Sequence, residues 1–174
     1  MDPIELLRDE IAESGLLTAP FADDGIVIGA ARVPAAGTDV TVNVDPELED
    51  RSGLDTGVLL AAVERVLTIA PARWDQVVDS VANEIEDAVG DQSVIEATDL
   101  RDDLTLRSVA VLHDAVLLSF IAPKQFPDSW IRTQLDEDLD VDDVVVEEMD
   151  ENYEVVEFES LDDLMDHLSS AEDR

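Results

Sequence analysis

An α+β fold is predicted by three patterns in this chain: apolar residues at helical spacing in its middle, alternating strand-like runs on either side, and helix-start signals near both ends. The expected architecture is an antiparallel sheet packed with two central helices and short terminal helices. The first signal is Asp2-Pro3 followed by Glu5. Asp2 can accept a hydrogen bond from a free helix N–H, and proline suits the first helical position. Ile4, Leu7 and Ile11 then mark one face of a helix that should stop near Gly15.

Asp23-Asp24-Gly25 reads as a turn into a hairpin of Ile26 to Val33 and Val40 to Val44, joined by a loop from Pro34 to Thr38. The central helices begin near Asp55 and Pro71. In the second, Trp74, Val77, Val78, Val81, Ile85 and Val89 recur at helical spacing, while Asp75, Asp79, Glu86 and Asp87 take other angles. Gly90 to Asp103 is polar and weakly periodic, with Val94-Ile95 able to form a short strand. The whole chain, 1–174, is expected to be one acidic domain; 91–103 is the natural joint should it divide into sub-units 1–90 and 104–174.

Beyond this joint the period returns to two. Leu104 to Leu112, a turn at His113-Asp114, Ala115 to Ala122 and Trp130 to Leu135 predict a meander. Val141 to Met149 and Tyr153 to Phe158 predict two further strands about a turn at Asp150-Glu151-Asn152. Ser160 with Asp163 resembles a capping box, and Leu161, Leu164, Met165 and Leu168 give a short last helix. Asp24-Gly-Ile-Val-Ile can be laid on Asp114-Ala-Val-Leu-Leu, and Val40 to Leu48 on Ile131 to Leu139 after one inserted residue. Two related hairpin units would produce this similarity, as would the chance matching of short alternating strands.

The charge bounds the partners. The 174 residues hold 44 acids against ten Lys and Arg, a formal net charge of -34, and the last 39 residues contribute 18 acids against one Arg. Such a field repels nucleic acid and anionic lipid, and favours basic proteins, cationic peptides and divalent cations. Yet 45% of residues are hydrophobic and periodically placed, which predicts folding rather than disorder. Lys124 is the single lysine, and 27 of the acids are Asp. A bias across a whole proteome, as in salt-adapted or GC-rich genomes, accounts for this more simply than a charge selected for one partner.

Absence of cysteine removes disulfides, thiolate nucleophiles and cysteine metal sites. Met1 to Leu17 lacks a basic start followed by an apolar core, and no window approaches 18 uncharged apolar residues, so a cytoplasmic protein is expected. No phosphate-cradling loop, dinucleotide fingerprint or Gly-x-Ser-x-Gly elbow occurs. Gly53 and Gly57 lack the Lys and Ser/Thr that hold phosphate and magnesium, and no motif joins Ser119 or Ser129 to a histidine. His113 is explained by its turn and His167 by an exposed helical face. No catalytic, cofactor-binding or metal-ligating residue is assigned.

Asp136, Asp138, Asp140 and Glu147 fall at the carboxylate positions of a calcium loop, with Asp142 between them. Val141 stands where such a loop requires glycine, and both flanks read as strands. A solvated acidic turn is the better reading. The segment from Pro123 to Trp130 combines the single lysine with two prolines, Phe126 and Trp130. Aromatics on a stiff loop can anchor a partner, although Trp130 is first expected to fold back on the core. Phe126, Trp130, Asp136, Asp138, Asp140, Asp142 and Glu147 therefore make up the candidate partner surface.

The leading functional expectation is a soluble, non-enzymatic protein acting through protein contacts, as monomer or homodimer, with a basic protein a natural partner. The alternatives are a nucleic-acid mimic that captures a basic protein, and a hydrolase with a carboxylate site.

Overall fold

The chain builds one mostly antiparallel sheet, and the residues 2–50, 53–89 and 99–149 are those that the computed structural model describes. The element order is α1 (Pro3–Ser14), β1 (Thr18–Asp23), β2 (Ile26–Val33), β3 (Thr38–Val44), α2 (Thr56–Leu67), α3 (Pro71–Val89), α4 (Leu100–Asp103), β4 (Thr105–Val111), β5 (Val116–Ala122), β6 (Phe126–Leu135) and β7 (Val141–Glu148). The strands lie in sequence order, β1 to β7, in a single sheet. Every neighbouring pair is antiparallel except β3 and β4, which run parallel in the register Thr41↔Ser108 to Val44↔Val111. A parallel pair needs a long connection, and α2, α3 and α4 occupy it.

Local chemistry fixes the helix ends. The Asp2 carboxylate accepts from Ile4 N–H at 3.1 Å, and Gly15 closes α1 with a φ of 72°, a conformation open to glycine at no steric cost. Asp55 caps α2 by accepting from Val58 N–H at 3.1 Å.

Burial along the strands alternates, so one face of the sheet lies under the helices. Val27 and Val33, Val40, Val42 and Val44, Val109 and Val111, and Leu118 and Phe120 join Leu7, Ile11, Leu59, Val77 and Val81 in one hydrophobic cluster. Trp74 of α3 stacks on Phe120 with ring centroids 5.9 Å apart. Gly29 sits where a side chain would strike the helix-side layer: a Cβ there would lie 2.9 Å from Leu17 Cβ.

Several expectations change. The sequence predicts no strand before Asp23, yet Thr18–Asp23 pairs with β2 as an edge strand. Pro20 is tolerated there because an edge strand need not donate on both sides. β3 begins at Thr38 rather than Val40. β6 begins at Phe126, four residues before the expected start, so the proposed aromatic loop contracts to the turn at 123–125. The Asp103 carboxylate organises that turn, accepting from Lys124 N–H at 3.0 Å and Gln125 N–H at 2.9 Å. Asp103 and Leu100, assigned to a linker from sequence, are buried. The Val94-Ile95 pair, the strand at 153–158, the capping box at Ser160 and the last helix lie outside the described residues, as does His167.

Candidate functional site

The second face of the sheet carries no helix among the described residues. Paired positions define it. Small side chains occupy its middle: Ala30 stands opposite Thr41, Thr41 opposite Ser108, and Ser108 opposite Ser119. Ala110 adjoins Leu117. Larger apolar groups flank this flat centre, with Phe21 and Ile28 paired on one side and Ile121 and Trp130 on the other. Phe21, Leu117 and Val145 are 51%, 41% and 41% exposed.

Trp130 is half-buried on this face and does not enter the core as expected. Arg132 lies beside it, with its guanidinium carbon 5.8 Å from the indole ring centroid. Its Nε donates to Glu147 Oε2 at 2.8 Å, and its Nη1 donates to Ser119 Oγ at 3.2 Å. An exposed ion pair of this kind contributes little to stability. Its geometric effect is larger, because it holds a cation over the aromatic ring. Trp130 and Glu147 thus meet across the β6–β7 register. Phe126 is separated from them: it faces the helices and lines a shallow groove with Ile85, Ala88, Val144 and Val146.

Asp136, Asp138 and Asp140 gather in the β6–β7 loop, their carboxylate oxygens within 4.8 Å of one another, all exposed. The loop spends these groups on itself. Asp136 Oδ1 accepts from the N–H groups of Asp138 and Asp140 at 2.9 and 3.0 Å, and Leu139 takes a φ of 63°. Arg65 Nη1 donates to the Glu137 carbonyl at 2.9 Å, and Arg73 donates to the Asp138 carbonyl and the Asp140 carboxylate. Val141 opens β7 directly after the loop. Asp142 lies at the irregularity in β7 and accepts weakly from Gln134 at 3.5 Å. The cluster is therefore a loop tied down by two arginines.

A wide cleft of about 570 Å³ is lined by Asp50, Asp55, His113, Asp114 and Glu137. Asp55 there is the α2 cap. The His113 ring is enclosed, its Nδ1 3.2 Å from Glu47 Oε2, while its Nε2 is buried with no hydrogen-bond partner. Ser119, the serine nearest to a role, is engaged by Arg132 on the uncovered face.

Arg132 and Leu117 are not among the residues that the sequence singles out. A signal for them existed in a chain so rich in acid: the outward positions Ile28 and Ala30, Leu117, Ser119 and Ile121, and Trp130, Arg132 and Gln134 contain no carboxylate. No protein-family model, curated protein or solved structure matches the chain.

Proposed function

We propose that this is a non-enzymatic protein that works through protein contacts, and that the uncovered face of the sheet is its contact surface. The observation supporting this reading is the character of that face. Its paired central positions are small, with exposed Arg107 beside them at the irregularity in β4, its flanks are apolar, and Arg32 and Arg132 stand on it with Asp39 and Glu147, while the other described acids lie mainly on helices, loops and edge strands. Exposed apolar patches of this kind mark interaction sites. Trp130 with Arg132 supplies the residue types that dominate contact energies. A shared origin for the β2–β3 and β5–β6 hairpins accords with this architecture and would make the face a surface of two similar halves.

A second reading, the nucleic-acid mimic, draws on the outward acids of the β6–β7 loop and β7, among them Asp138, Asp142, Asp143 and Glu148. The two readings separate by salt and by site. Native mass spectrometry of complexes isolated from the source cells with the full chain, and with Leu117→Glu, tests the first: complexes should be lost in the variant. If complexes survive Leu117→Glu but dissolve in 1 M salt and in Asp138→Asn/Asp142→Asn, the mimic reading replaces it. A carboxylate hydrolase would centre on the cleft of Asp50, Asp114 and Glu137, which offers acids without an assigned substrate.

A further inference from the structure

Resting on the reading of the uncovered face as a contact surface, we propose that its occupant is a second copy of this chain, packed face to face about a two-fold axis.

Charge selects this partner. A basic protein would be drawn to the acidic helices and to β7, and an anionic one would be repelled by a chain of net charge -34. The uncovered face is close to balance: Arg32 pairs with Asp39 and Arg132 with Glu147, and its further acids, Asp23 and Asp143, lie on the edge strands β1 and β7. Two copies can meet there while their remaining carboxylates stay at the periphery or on the far side. The exposed side of α3, with Asp75, Asp79, Glu84, Glu86 and Asp87, would bring acids against acids.

Shape and area agree. Ala30, Thr41, Ser108 and Ala110 make a flat centre that lets two sheets approach, with Ser119 buried beside it and bonded to Arg132, and stacked sheets pack about 10 Å apart. Seven strands at about 4.8 Å spacing and roughly 20 Å long present on the order of 600 Å². Two such faces would bury about 1,200 Å², the lower bound for a specific interface. Leu117 and Val145 then lose their exposure, and the flanking aromatics close the rim. In a two-fold contact the same patch serves both copies, so one substitution acts twice.

Sedimentation equilibrium of the full chain, from about 1 to 200 µM in 0.2 and 2 M KCl, reads the mass directly. The expected result is a mass rising toward twice the 19.0 kDa of one chain, more readily in high salt. Leu117→Glu and, independently, Val145→Arg should weaken association by about 100-fold with circular dichroism unchanged. Because the chain has no cysteine, Thr41→Cys gives a single probe at the centre of the face. A short thiol cross-linker should join two Thr41→Cys chains, and should not join Asp75→Cys chains, whose probe lies on the outer surface of α3.

A one-chain mass throughout both salt series overturns the second copy, and so does a dimer that survives both face variants. Slow maleimide labelling of monomeric Thr41→Cys overturns it as well, by showing that the same chain covers the face. The contact reading fails separately: its loss would show as complexes from the source cells that are unchanged in Leu117→Glu.

Discussion

Asp99 shows how one side chain can hold two groups of the same residue. Its carboxylate accepts from Arg101 N–H at 3.0 Å and from Arg101 Nη1 at 3.2 Å, and it starts α4. The backbone hydrogen bond, then the side-chain bond and charge of Arg101, hold its pKa below the usual carboxylate range. Arg101 in turn reaches Asp79, Glu86 and Asn83, and Asp79, Asp99 and Glu86 raise its pKa further above the ordinary arginine value. The sign for Asp99 is that of a depressed acid. Its contribution to stability is present above the ordinary value of about 3.9 and fades as pH falls through the lower folded value. Asp99→Asn should therefore flatten the dependence of Tm on pH below about pH 4 while leaving the profile near neutrality similar in shape. Thermal melts by circular dichroism across that range check it, and a profile identical to the parent's at low pH would contradict it.

At the scale of elements, close packing of β2 beneath Leu17 gives a sharper expectation. Gly29→Ala should destabilise the protein by about 1–3 kcal/mol, the usual cost of an extra methyl in a filled layer. Urea denaturation should show the loss, and a stability equal to the parent's would mean that Leu17 moves aside freely. How much of this packing was legible from sequence varied by element. α1 and α2 carry aspartate caps, α1 and α3 begin on a proline, and all three have a 3.6-residue period, all of them local signals. β2 and β7 are rich in β-branched residues, and β5 in large apolar ones. β1 and the first half of β6 contain Pro20 and Pro127, which dilute the alternation, and their pairing is supplied by neighbours distant in sequence or across a turn. α4 is only four residues long and has no period to read. The candidate surface divided in the same way. Asp136, Asp138 and Asp140 converge because five consecutive residues form one loop. Trp130 and Glu147 converge through strand register, which the sequence leaves open, and Phe126 departs because it falls on the opposite side of the same strand.

For the molecule as a whole, the net charge of -34 opposes compaction, and among the described residues the acids lie mainly on helix exteriors, loops and β7. Repulsion of this kind is screened over about 10 Å at 0.1 M salt and about 3 Å at 1 M. Tm should accordingly rise by several degrees between 0.05 and 1 M KCl, measured calorimetrically at fixed dilute protein concentration. A Tm that falls steadily with salt would mean that ion pairs such as those of Arg101 outweigh the repulsion.

The parallel β3–β4 pairing also divides the sheet by the distance along the chain at which contacts form. Each of the other strand pairs joins neighbours in sequence, whereas Thr41 reaches Ser108 only after the helical connection has been placed. Loop closure makes such a contact slow to form. The two meanders can therefore organise early and separately, and the seam between them is where folding becomes cooperative over the whole sheet. It gives the chain a kinetic order that its continuous strand sequence conceals.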